Sequence, residues 1–205
     1  LPELYDNILS DRCYSVRLFL GVLGVAYTKR TVDYAPAKSP ASSGALRLNP
    51  EGEIPILVDD GRVFTNITSI LLYLAEHYDP ARAWLPRDST GVLHWVHFAA
   101  GPLSIMHEVR KARLFMAPGT EDNAIVQSRS ALRSIEDHLT DQSLAGHDWI
   151  IGDGPTLADI AVFPSVALSH DCGIGHEDYP AINLWQRRVR RLSGFVSTPG
   201  IPDYF

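Results

Sequence analysis

Residues 3–32 read ELYDNILSDRCYSVRLFLGVLGVAYTKRTV, and the alternation of apolar and polar positions changes period twice within them. Glu3 to Asp6 alternates and runs into a polar turn, which predicts a short strand. From Arg12 to Gly24 the apolar positions Val16, Leu20 and Leu23 follow a helical period, with Leu18 and Phe19 widening the face. Gly24 is the stop signal. Residues 27–32, YTKRTV, alternate again and are β-prone. Strand, helix, strand in thirty residues is a βαβ unit, which requires parallel neighbours and a right-handed crossover.

Outward from this unit, residues 33–44, DYAPAKSPASSG, are rich in Pro, Ser and Ala and predict a mobile loop, followed by a short helix near 45–48. Next, IPILV and RVF are two short strands joined by Asp59-Asp60-Gly61, a strong hairpin signal. Pro55 opens the first of them, a position where a missing N–H needs a reason, and a cis peptide bond is one. TNITSILLYLAEHY, residues 65–78, is a helix with Ile67, Ile70, Leu71 and Leu74 on one face and Thr65 or Asn66 as its N-cap. After Tyr78 the pattern changes. DPARAWLPRDS reads as a linker, and helices are expected near 89–115, 121–143, 156–169 and 179–192. Gly101-Pro102 should interrupt the first. Thr156 with Asp159 three residues on resembles a capping box. The division expected is an α/β domain over 1–78, a linker over 79–88 and an all-helical domain over 89–205.

The 205 residues are 45% hydrophobic and 20% charged, with a formal net charge of −6, the composition of an ordinary globular protein. That charge argues against a nucleic-acid or anionic-membrane binder. Cys13 and Cys172 are too few for a disulfide framework, and they have no zinc-type spacing. No apolar run is as long as a membrane helix and no signal-peptide pattern opens the sequence. A soluble, cytoplasmic protein is expected. His94 and His97 at i, i+3 and the pair His107-Glu108 lack the convergence a metal needs, so no metal is expected. The basic run Arg187, Arg188, Arg190, Arg191 reads as a solvated helix face.

A βαβ unit followed by a proline-initiated hairpin and a helix, with a helical domain appended, resembles the cytosolic glutathione S-transferases, with their thioredoxin-like N-terminal and all-α C-terminal domains. The resemblance is carried by LYD…LSDRCYSVRLFLGVLGVAY (first strand, catalytic turn, first helix) and LNPEGEIPIL (the cis-proline loop). TSILLYLAEHY is similar to the third helix, WIIGDGPTLADIAVFP to the capping motif of the sixth, and YPAINLWQRRVRRLSGFV to the late helix and tail. It implies a serine-type, bacterial-like transferase using glutathione as co-substrate against a small electrophile, in a detoxification role, and a homodimer.

The chemistry so implied is activation of a thiol whose unperturbed pKa is about 8.5. Lowering it by about two units takes on the order of 2.7 kcal/mol of preference for the anion. A hydroxyl donor and the positive end of a helix can supply that. By resemblance Ser10 is the catalytic hydroxyl, with the amides of Asp11 and Arg12 beside the thiolate; the plain alternative is that Ser10 only caps the helix. Cys13 is the rival nucleophile, though its place one turn inside the helix suits a buried thiol. The glutathione-binding set is Arg12, Lys38, Ile54, Pro55, Asn66 and Ile67, Ile54 offering its backbone to the cysteinyl part as an added strand does. Arg12 and Lys38 read equally well as solvated side chains. At Asn66-Ile67 the chain departs from the family, which usually has an acid or Gln followed by Ser. The lost hydroxyl would weaken the grip on the γ-glutamyl carboxylate by roughly 1–3 kcal/mol, up to about a hundredfold in affinity. Met106, His107, Arg110 and Arg113, at spacings of three and four, are the expected second-substrate pocket. The alternative there is a core methionine beside a solvated charged face. The functional alternatives are a glutathione-assisted lyase, isomerase or disulfide reductase, or a glutathione-independent ligand-binding module.

Overall fold

The computed structural model describes residues 1–32, 44–114 and 122–201. The chain opens with β1 (Glu3–Asp6), α1 (Asp11–Val22) and β2 (Thr28–Thr31). The short helix α2 (Ala45–Leu48) precedes the hairpin of β3 (Ile56–Asp59) and β4 (Arg62–Phe64), and α3 (Ile67–Tyr78) follows. The four strands form one sheet in the order β2-β1-β3-β4. β1 and β2 are parallel from Glu3 opposite Thr28 to Asp6 opposite Thr31, whereas β3 runs antiparallel to both β1 and β4. The parallel pair is what a crossover through α1 demands.

The remainder is helical: α4 (Thr90–Ala100), α5 (Ile105–Leu114), α6 (Asp122–Leu144), α7 (Leu157–Ala167) and α8 (Pro180–Val189), with 3₁₀ turns at Pro102–Ser104 and Ser169–Cys172. The helix expected over 89–115 is interrupted at Gly101-Pro102. Proline offers no N–H to continue the ladder, and the helix ends with the Gly101 N–H donating to the His97 carbonyl at 2.8 Å. Among the described residues no helix is long and apolar enough to cross a membrane.

Two helices explain why the α/β and helical parts hold together. α1 buries an unbroken run from Cys13 to Leu20, and α7 buries Leu157, Ile160, Val162, Phe163 and Val166. A helix apolar all round needs partners on every side. α1 has the sheet side on one flank and α7 on the other, with Tyr14 and Phe163 ring to ring at 6.5 Å. The segment between α3 and α4 is firmly tied: the Trp84 N–H donates to Asp79, the Trp84 carbonyl accepts from the Leu157 N–H, and its ring meets Phe19 at 5.5 Å.

The chain past α8 returns across α1. Tyr14 donates its hydroxyl to the Val196 carbonyl at 2.8 Å, and the Gly194 carbonyl sits where a Cβ on Gly21 would be, so Gly21 is a contact only glycine permits. Arg17, buried under this strap, pairs with Asp6 and donates to Thr198 Oγ1 and the Ile8 carbonyl. The capping box of α7 forms as its spacing predicts. Asp159 accepts from the Thr156 and Ile150 amides and from Trp185 Nε1, the last at 2.8 Å.

Candidate active site

The turn Asn7–Ser10 ends β1 and opens α1. Ser10 has extended backbone (φ −81°, ψ 123°) and its Oγ accepts from the Cys13 N–H at 3.2 Å, so it is the N-cap of α1. A hydroxyl that accepts on a lone pair keeps its proton for another partner. The cap and a donor role therefore do not exclude each other. The Arg12 amide, expected beside a thiolate, is instead held by Asp11 Oδ1 at 2.9 Å. Of the first three amides of α1, Arg12 and Cys13 are engaged by side-chain caps, which leaves Asp11 N–H.

Cys13 is fully buried among Val32, Ala45, Ile54 and Ile56. Burial, with the negative charge of Asp6 adding to it, pushes its thiol up to about 12. The rival nucleophile is thus a core residue, because apolar side chains enclose it and keep its thiol protonated.

The Ile54-Pro55 peptide is cis. Ile54 and Pro55 are both buried and both border a cleft of about 250 Å³ between the two parts of the molecule. Its α/β wall is Arg12, Glu53, Ile54, Pro55, Asn66 and Ile67. Its helical wall is mostly small side chains, Ala99 and Ala100 on α4, Ser104, and Ala161 and Ser165 on α7, with Val96 and His107 beside them. Asn66, the N-cap of α3, accepts from the Ser69 N–H at 3.2 Å, and Ile67 leans half-buried onto the core. A second lobe of about 30 Å³ adjoins the first, bordered by Asn7, Leu9, Ser10, Leu114, Arg110 and Lys111. Asp11, Glu53, Ile54 and His107 line both lobes and form their junction.

The four positions expected to form the second-substrate pocket separate. His107 reaches the junction, half-buried, with Nδ1 2.5 Å from Asp11 Oδ1. Arg110 borders the small lobe but is spoken for: Nε donates to Asp171 Oδ2 at 2.7 Å and Nη1 to the Leu9 carbonyl. It braces the turn that carries Ser10. Met106 is 1% exposed and belongs to the core, not the cleft. Arg113 is exposed and lies against the Cα of Gly173, bordering neither lobe. At about 100° per residue Met106, Arg110 and Arg113 lie within about 60° of one another and His107 stands off to one side. The face that packs inward at Met106 and Arg110 is therefore not the one His107 turns to the cleft, and Arg113 lies two turns further on, at the exposed end of α5.

Arg12 is half-buried between Glu53 at 3.7 Å and Glu108 at 3.8 Å, and Lys111 reaches the other oxygen of Glu53 at 3.7 Å. Lys38 lies outside the described residues. Sequence reading missed Asp11 as a side chain, Glu53, Lys111 and the α4/α7 wall. Only the pattern of small residues on α4 and α7 left a trace in the sequence. Burial acts to raise the Asp11 carboxyl, yet the His107 hydrogen bond and charge, Arg110 and the Arg12 amide outweigh it and hold it below the ordinary range. Among the described residues no group of three His, Cys, Asp or Glu side chains is placed to hold a metal ion.

Comparison with known proteins places these features. The family model "Glutathione S-transferase, N-terminal domain" matches residues 4–82, and "Glutathione S-transferase, C-terminal domain" matches residues 119–188. The chain is 26% identical over 205 residues to glutathione S-transferase theta-1 of Bos taurus, covering 95% of this chain and 84% of that one. It is 29% identical over 207 residues to maleylacetoacetate isomerase of Pseudomonas aeruginosa, covering 93% and 90%. A crystal structure of a possible glutathione S-transferase from Rhodopseudomonas palustris superposes with a TM-score of 0.79 at 28% identity, over 96% of this chain and 97% of that one.

Proposed function

The chain belongs to the glutathione S-transferase family, and from that premise we propose that it is a glutathione transferase in which Ser10 holds the glutathione sulfur as a thiolate for attack on a small electrophile. The observation that carries the assignment is the Ser10 hydroxyl at the start of α1. It accepts from Cys13 N–H, so its own proton is free to point into the lobe that Ile54, beside the cis-proline, also borders. One hydroxyl-to-anion hydrogen bond contributes about 1.5–3 kcal/mol and a helix N-terminus about 0.3–1 kcal/mol. Together they match the roughly 2.7 kcal/mol that two pKa units require.

In this reading the backbone of Ile54 pairs with the cysteinyl unit of glutathione and Pro55 shapes that loop. The Ile67 amide and the Asn66 side chain meet the γ-glutamyl carboxylate, and Arg12 meets a second carboxylate. The electrophile lies toward His107 and the small-residue wall of α4 and α7. We extend the same reading to a cytoplasmic homodimer with a detoxification role, divided at residues 78 and 89, with sedimentation as the check on its mass.

The decisive assay is steady-state conjugation of glutathione to a chlorinated nitrobenzene, run with calorimetry of glutathione binding. Conjugation is expected in the wild type. No binding heat up to millimolar glutathione would favour a ligand-binding module instead. A second reading, glutathione-assisted isomerisation, has one observation in its favour: the 29% identity to a protein named maleylacetoacetate isomerase. Product analysis separates the two, because isomerisation returns the thiol unchanged.

A further inference from the structure

We propose that Asp11 and His107 form an acid–base pair in which His107 Nε2 takes the thiol proton and Asp11 acts as its positioning residue; this rests on the glutathione transferase reading. The two side chains come from elements ninety-six residues apart and meet at 2.5 Å across the junction of the cleft lobes. Asp11 is buried, with 3% exposure, and its Oδ1 also accepts the Arg12 amide. An ionised carboxylate can only accept, so the proton on that contact sits on Nδ1. The other ring nitrogen then carries the lone pair.

Nε2 is not used up by the protein. It stands 3.9 Å from Glu108 Oε1, beyond hydrogen-bond reach. The imidazole borders the same small lobe as Ser10 and Ile54. About 30 Å³ is room for one water molecule or one atom of similar size. A sulfur held by Ile54 and Ser10 in such a space has the His107 ring on its wall.

The step balances without another reactant. The S–H bond breaks with its electron pair left on sulfur, and the proton passes to Nε2. The imidazolium that results is the counter-charge of the thiolate and is itself compensated by Asp11. Sulfur then forms its bond to the electrophilic carbon as the leaving group departs with its pair, and the proton goes from Nε2 to the leaving group or to water. Other charges around the ring come in pairs. Arg12 on α1 and Lys111 on α5 face Glu53 of the cis-proline loop, Arg12 also faces Glu108, and Arg110 is paired with Asp171.

The test uses the ultraviolet absorption of bound thiolate against pH, with conjugation kinetics, in His107→Gln, His107→Ala and Asp11→Asn. His107→Gln is expected to move the acid limb of kcat/KM to higher pH and to lower its value near neutrality by on the order of 10²-fold. The KM for glutathione should stay within about twofold, since binding contacts are untouched. Added imidazole should restore part of the rate of His107→Ala, which a merely structural role would not allow. Asp11→Asn should be impaired and insensitive to imidazole; if it fails to fold, the two His107 variants carry the test. Wild-type thiolate and pH profile in His107→Gln would overturn this inference alone. Absence of glutathione binding by the wild-type protein in calorimetry would overturn the transferase reading, and this inference with it.

Discussion

Replacing Ser10 by Ala removes two things at once, and they are separable. The first is the helix cap, the acceptor of Cys13 N–H at 3.2 Å. Losing a serine cap costs about 1 kcal/mol of stability, which should appear as a small drop in Tm. The second, in the proposed mechanism, is the donor to sulfur. Losing a hydrogen bond to an anion costs about 1.5–3 kcal/mol, equivalent to one to two pKa units of the bound thiol. The direction follows from what is stabilised. The hydroxyl favours the thiolate, so without it the thiol pKa rises and the acid limb of kcat/KM shifts to higher pH. Near neutrality the rate should fall roughly 10- to 100-fold, and at alkaline pH it should converge on the wild type.

Ser10→Asp resolves cap from chemistry. Aspartate caps a helix as well as serine does, so Tm should return to near the wild-type value. Its carboxylate faces the same lobe and repels a thiolate, so activity near neutrality should stay at or below that of the alanine variant. The reasoning is refuted if Ser10→Ala keeps the wild-type rate and pH profile, or if Ser10→Asp regains activity along with stability.

Three further outcomes are expected. Ile67→Ser, restoring a hydroxyl at the start of α3, should tighten glutathione binding by up to about a hundredfold in calorimetry, with a modest loss of Tm because Ile67 packs on the core. Cys13 should resist alkylation in the native protein and react fully once unfolded, since burial pushes its thiol up to about 12, and Cys13→Ala should remain active. His176 is buried, with Nδ1 accepting from Gln186 while Nε2 faces the Val166 carbonyl, and burial, with His170's charge, lowers it from 6.5 to about 4. Its folded-state pKa lies below the unfolded one, so the unfolded chain gains the proton first. Stability should therefore fall by about 3 kcal/mol between about pH 6.5 and pH 4, a slope that His176→Gln should flatten in denaturant titrations.

The sequence made the βαβ unit, the proline-led hairpin, the break at Gly101-Pro102 and the capping box at Thr156 legible, because each is encoded within a few residues of chain. The Ser10 helix cap and the cis Ile54-Pro55 bond were legible for the same reason. The partners that give the cleft its character were not. Asp11 meets His107 across ninety-six positions, and Arg110 meets both Leu9 and Asp171. No local pattern distinguishes an arginine facing a ligand from one bracing a turn. Met106 and Arg113 failed as pocket residues for a related reason: helical spacing gives angular neighbours, whereas the packing of α5 on the 3₁₀ turn at Ser169–Cys172 and on α6 buries Met106 and leaves Arg113 exposed two turns further on.

The charges around the cleft divide by burial, and that division assigns their work. Arg110 is buried, its guanidinium shared between Asp171 and the carbonyl that precedes Ser10. Breaking such a pair by removing one partner costs about 3–5 kcal/mol, so Arg110 is fixed and serves the geometry of the turn that carries Ser10. Arg12 and Lys111 are about one third exposed and share Glu53 at 3.7 Å each. Pairs of that kind contribute about 0–1 kcal/mol, so a carboxylate of a bound ligand can replace Glu53 at little cost. An anionic tripeptide entering the cleft therefore has two cations that can be re-paired and one that cannot. Glu53, one residue from the cis-proline peptide, becomes the group that has to yield. Glu53→Gln should accordingly strengthen glutathione binding while leaving the Arg110 brace, and with it the pH profile set at Ser10, unchanged.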